Sequence, residues 1–199
     1  MKKSILLLFF IIFCSLFSHA QCNYKGVPGK LKRYCVSDSK PKPDAATGLS
    51  LWFDKYYFVG QVGFAKSGNE MYLYLHLARN FSKRFELRNT DRLVLTTASG
   101  NEIEVFPAGD YSGKNMMTWY AVGCYYSLSK PQLELLSKEK VERIQLYVSS
   151  ENEFETTSDS GGNGWQKDEQ GKVFFRHNIE AEGKKEKCRK SASCIFQKT

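Results

Sequence analysis

The chain has 199 residues, 42% of them hydrophobic and 25% charged, with a net charge of +8 and a mean hydropathy of −0.44. That length and balance suit one globular domain with a core of its own. The basic excess does not point to nucleic acid, because no recognition motif accompanies it and the N-terminus reads as an export signal.

Met1-Lys2-Lys3 precedes an apolar run over residues 5–17, and Ser18-His19-Ala20 supplies a small residue at a cleavage position and another two before it. This is the pattern of a secretory signal peptide over residues 1–20, cut after Ala20. The run is shorter than the ~20 apolar residues of a spanning helix, so no transmembrane segment is expected after cleavage. His19-Ala20-Gln21 ahead of Cys22 does not resemble a bacterial lipobox. The expectation is a single β-rich domain over residues 21–199, secreted or periplasmic.

Export sets the reading of the cysteines. Cys14 leaves with the signal, so Cys22, Cys35, Cys124, Cys188 and Cys194 remain, an odd number in an oxidising compartment. Cys22 and Cys35 enclose a short loop with Gly26, Pro28 and Gly29 and are the expected disulfide, with a bond between the two chain ends as the alternative. Cys124, in a strand that reads as buried, is the expected leftover thiol. No C-x-x-C occurs and only His76 and His177 remain as mature imidazoles, so no metal site and no cofactor are expected.

Residues 55–64 read as an aromatic strand, and Ser67-Gly68-Asn69 turns it into a second one over residues 70–77. There Met71, Leu73, Leu75 and Leu77 take one face, leaving Tyr72, Tyr74 and His76 on the other. Three ring-bearing side chains with polar tips form the residue-level candidate for ligand binding, against the alternative that another layer covers them as core. Asn80-Phe81-Ser82 is a glycosylation sequon.

Residues 92–97 and 102–106 alternate apolar with polar around Ala98-Ser99-Gly100-Asn101, a hairpin whose loop needs the positive φ that Gly100 tolerates. Residues 116–126 are apolar or aromatic on both parities, as in a strand covered on both faces. Ser129-Lys130-Pro131-Gln132 combines an N-cap, an early proline and a capping-box partner, starting a short helix that buries Leu133 and Leu136. Residues 141–148 return as a strand, with Ile144, Leu146 and Val148 on one face and Arg143, Gln145 and Tyr147 on the other.

Residues 150–171 carry one basic and six acidic side chains and several glycines, and about 149–171 reads as a flexible loop. Within it, Asp159-Ser160-Gly161-Gly162 resembles the nucleophile segment of chymotrypsin-like serine proteases. Ser158 and Asn163 replace that family's flanking Gly and Pro, and His76 lies mid-strand, so no catalytic residue is assigned. The overlapping Asp159-x-Gly161-x-Asn163-Gly164 approximates the start of a calcium loop, with Gly161 and Gln170 where oxygen ligands belong. Beyond it, Ala181, Cys188, Ala192, Ile195 and Phe196 recur at near-helical spacing. Lys184, Lys185, Lys187, Arg189 and Lys190 then form either the solvated face of a C-terminal helix or a contact for an anionic surface.

These elements predict a mainly β, sandwich-like fold with one short helix between late strands and a C-terminal helix; a small barrel with a helical plug is the alternative. With no paired-carboxylate, thiol–imidazole or metal motif, the expected function is an exported non-catalytic module that binds a protein or glycan of the cell envelope. A small secreted hydrolase is the alternative, carried by a pocket joining His76 or His177 to a carboxylate or Ser160.

Overall fold

Thirteen strands and two helices make up the described part of the computed structural model, which covers residues 45–51, 58–80, 86–116, 119–149, 157–158 and 162–199. All strand pairs are antiparallel. A five-stranded sheet runs in the order β1 (Ala45–Leu51), β2 (Phe58–Ser67), β3 (Glu70–Asn80), β9 (Trp119–Leu128), β8 (Lys114–Met116). A six-stranded sheet has the order β11 (Thr157–Ser158), β12 (Gly164–Lys167), β13 (Val173–Asn178), β10 (Val141–Tyr147), β5 (Leu93–Thr97), β6 (Glu102–Val105). A two-stranded pair, β4 (Glu86–Leu87) with β7 (Tyr111–Ser112), completes the set. The protein is mostly β and sandwich-like as expected, and its sheets do not close, so the barrel alternative is set aside.

The register explains the core. Val62 and Phe64 of β2 lie opposite Leu75 and Leu73 of β3, which lie opposite Cys124 and Tyr126 of β9, so these side chains share one face. The six-stranded sheet contributes Leu93, Leu95, Ile103, Val105, Ile144, Leu146 and Phe175, all within 5% exposure, to the same cluster. The chain leaving β6 ties the sheets together: the Ala108 amide donates to the Tyr125 carbonyl at 2.7 Å, and the Ser127 amide to that of Phe106 at 3.2 Å. Asp91, 1% exposed, fastens the entry to β5. Its carboxylate accepts the Arg88 amide at 2.9 Å and the Ser149 amide at 2.6 Å, together with the Ser149 hydroxyl.

The short helix α1 (Lys130–Lys138) forms where its capping box predicts. The Ser129 amide donates to Gln132 Oε1 at 2.9 Å and the Gln132 amide to Ser129 Oγ at 3.4 Å. Gln132 Nε2 also donates to the Glu104 carbonyl at 3.0 Å, anchoring the helix start to β6. Leu133 and Leu136 are fully buried. Ser129→Ala is therefore expected to lower stability by about 1 kcal/mol; a urea midpoint unchanged from wild type would show that the cap carries no stability.

Helix α2 (Glu182–Phe196) packs on α1 and lies against β1, β2 and β10, burying Cys188, Ala192, Cys194 and Ile195. The stretch read as a flexible loop, 149–171, contains β11 and β12, and β13 follows immediately. An Asp168 turn makes that hairpin: Asp168 Oδ1 accepts the Gln170 and Lys172 amides at 3.1 and 2.7 Å. Gly100 does take the expected positive φ, +85°.

Candidate functional site

The aromatic row read from β3 stands on the reverse of the core face, and it is buried. Tyr72, Tyr74 and His76 are 6%, 4% and 7% exposed. Tyr125, in register with Tyr74, packs against Tyr74 at 5.1 Å and edge-on to Tyr72 at 5.8 Å between ring centroids. Only the hydroxyl end of Tyr72 reaches outward, donating to the exposed Glu70 at 2.6 Å; desolvation and that carboxylate push its pKa up to about 12. Burial lowers the His76 pKa to about 4, so it is neutral at physiological pH. In this structure the three residues form a packed layer and present no open ring face.

His76 and His177 are not brought together. His76 lies on the reverse face of the five-stranded sheet, and His177 lies in β13 opposite Ile144. Residues 159–161, including Ser160, lie outside the described residues. Asn163 of the calcium-like fragment uses its Oδ1 to accept the Asn178 amide at 2.6 Å. Among the described residues no three His, Cys, Asp or Glu side chains converge on a point that could hold a metal ion.

Cys124 and Cys188 are buried thiols outside any disulfide, and burial pushes the Cys188 thiol up to about 12. Cys194 is disulfide-bonded. The expected Cys22–Cys35 pair lies outside the described residues. No helix among the described residues is long and apolar enough to cross a membrane.

The basic run on α2 is largely answered within the molecule. Lys185 pairs with Glu142 at 3.0 Å, and Arg189 and Lys190 with Glu186 at 2.6 and 3.7 Å. The Arg189 guanidinium holds the Glu186 carboxyl down to about 2. Lys140, between α1 and β10, pairs with Glu182 at the start of α2. That leaves the helix as a solvated face more than a free cationic patch.

The partly exposed polar chemistry lies instead on the outer face of the six-stranded sheet. Register puts Gln166, Phe174 and Tyr147 in one row across β12, β13 and β10, and the Tyr147 amide donates to the Arg92 carbonyl, so Arg92 continues it. Arg176 and Gln145 form the next row, Asn178 and Arg143 the one beyond. Tyr147 stacks on Phe174 with centroids 5.1 Å apart and planes 26° from parallel. On its other side the Arg92 guanidinium sits 4.1 Å from the Tyr147 centroid, with Lys172 at 5.9 Å. Arg176 lies 5.4 Å from the Phe174 centroid. Phe106, the exposed large hydrophobic residue at 47%, follows β6 at the same edge.

Electrostatically the face is cationic with an acidic border. Arg92 pairs with Glu104 at 2.8 Å and Arg143 more loosely with Glu102 at 3.5 Å, both glutamates on β6. Arg176 has no ion-pair or hydrogen-bond partner among the described residues. The Nε atoms of Arg92, Arg143 and Arg176, and Oγ1 of Thr96 opposite Arg143, are buried without a hydrogen-bond partner among the described residues. Four such atoms on one face are unusual, since buried polar groups are nearly always bonded. Gly162, at φ +72°, brings its backbone close beside this corner: a Cβ there would stand 3.8 Å from Arg176 Nη1 and 3.9 Å from Gln166 Nε2. Gln166 Nε2 donates to the Gly162 carbonyl.

Sequence reasoning sorted Arg143, Gln145 and Tyr147 onto one side of their strand but did not gather Arg92, Phe174 and Arg176 beside them. The usable signal was Val173-Phe174-Phe175 after an Asp-x-x-Gly turn. No family model, curated protein or solved structure matches this chain.

Proposed function

We propose that this protein is an exported, non-catalytic binding module of the cell envelope or secreted fraction, and that it engages its partner through the outer face of the six-stranded sheet. The observation that carries the reading is the row Arg92, Tyr147, Phe174 and its neighbour Arg176, whose guanidinium Nε donors are desolvated yet unbonded. Aromatic and arginine side chains dominate binding energy at protein surfaces because they combine large apolar area with directional donors. The hydrolase reading gains no support from the two histidines, which stand on different sheets.

Site-specific photo-crosslinking in the producing cell tests this. A photoreactive residue at Phe106 or Lys172 should give one adduct of defined mass, and the same residue at the exposed Lys187 of α2 should give none. Equal labelling at all three positions, or none at any, would overturn the proposal.

A further inference from the structure

Resting on that binding reading, we infer that the occupant of this face is an extended acidic segment of a partner protein, its carboxylates held by the guanidinium edges of Arg176, Arg143 and Arg92. The rings themselves are not free for stacking. Because β10 lies between β5 and β13, Tyr147 has Arg92 on one side and Phe174 on the other. Phe174 is 5% exposed. A sugar needs an open ring face, and this face offers ring edges. The stack instead fixes the planar guanidinium groups, and a planar fork held by a ring gives up less freedom when it binds a carboxylate in bidentate fashion.

Geometry and charge favour an extended chain over a lipid surface. Arg176 and Arg143 are one strand and two residues apart, roughly 8 Å between backbone positions at ~4.8 Å per strand and ~6.7 Å per residue pair. Alternate side chains of an extended peptide project at a similar ~6.8 Å spacing. Glu102 and Glu104 along β6 would be repelled by a continuous anionic bilayer, whereas a single acidic strand running over β13 and β10 meets them only where Arg92 and Arg143 already pair with them. Arg176 has no carboxylate partner among the described residues, so its charge is unspent. Arg92 and Arg143 each share one terminal nitrogen with a β6 glutamate and keep other donors.

The test is fluorescence anisotropy of a labelled eight-residue peptide of alternating Ser and Glu against the full exported chain at low salt. The peptide should bind, the Ser/Lys counterpart should not, and affinity should fall as salt rises. Arg176→Gln should weaken binding about tenfold or more, and Arg176→Lys should rescue it only in part because the bidentate fork is lost. Far-UV circular dichroism and melting should be unchanged in both. The inference is overturned if the wild type fails to bind at millimolar peptide, or if Arg176→Gln binds as well as wild type. It is equally overturned if phosphatidylglycerol vesicles or polygalacturonate bind while the peptide does not. Binding that appears only after Glu151, Glu153 and Glu155 are changed to Gln would assign the face to the chain's own acidic stretch, against the inference. Crosslinks from Phe106 and Lys172 without peptide binding would leave the binding reading standing and remove this one.

Discussion

Tyr74→Ala should lower the unfolding free energy by about 3–5 kcal/mol, the range of buried aromatic truncations. The ring is 4% exposed and packs against Tyr125 at 5.1 Å, while Gly63 opposite it in β2 offers no side chain to fill the space it would leave. Neighbouring Ala65, Ala78 and Ala121 are small and buried, so the layer has little bulk with which to collapse. Tyr74→Phe keeps the ring and should cost well under half as much. Urea unfolding followed by circular dichroism measures both, with Lys187→Gln on the exposed side of α2 as a surface reference expected to stay within about 0.5 kcal/mol. A loss below about 1 kcal/mol for the alanine variant would mean that the face is open, and would restore Tyr72, Tyr74 and His76 as a surface row.

How much of this was legible depends on whether the controlling interaction is local. The β5–β6 hairpin and β10 follow from strict alternation and a glycine loop, and α1 follows from cap chemistry contained in four residues. The split of β3 into a leucine face and an aromatic face is also local and holds. Whether the second face is covered is not: alternation assigns a side chain to a face and says nothing about the next layer. β1 escaped notice because Ala45-Ala46-Thr47-Gly48 has little strand propensity, and it is held by its full seven-residue register with β2. β11 and β12 were hidden in a charged, glycine-rich stretch where composition argued for a loop, and β13, just after it, went unread. They persist because β13 borrows a ready-made neighbour in β10.

The outer-face site was the least legible part, for the same reason. Arg92, Tyr147 and Phe174 are far apart in sequence and become neighbours only through the β5–β10–β13 order. The cations that did stand out, on α2, form a conspicuous run, yet a run on one helix lies within reach of Glu142 and Glu186. Charge density along the chain therefore pointed away from Arg176, which has no acidic partner among the described residues and stands between Phe175 and His177 in sequence.

Acidification should destabilise this fold through His76 before its surface carboxylates respond. Its folded pKa is lowered to about 4 by burial, against about 6.5 for an exposed imidazole. The native state therefore binds fewer protons than the unfolded chain between those values. Stability is fully present above pH 6.5 and is lost as pH falls towards 4, by roughly 3 kcal/mol in all at 1.36 kcal/mol per unit. Its register neighbours, Gln61 in β2 and Gly123 in β9, carry no charge to accept the added proton's field. Glu134, Glu139, Glu182 and Glu186 have lowered pKa values and also favour the native state at neutral pH, but their contribution is lost only below about pH 4.3, where unfolded glutamates protonate. The interval from pH 7 to 4.5 thus isolates the histidines. Urea unfolding at both ends of it should show a fall of about 2–3 kcal/mol for the wild type, and a much smaller one for His76→Gln, whatever that variant's own starting stability. The two proteins differ only at His76, so His177 and every other group cancel from the comparison. Parallel pH slopes would mean that position 76 is hydrated, and that the aromatic face of β3 is not the sealed layer described above.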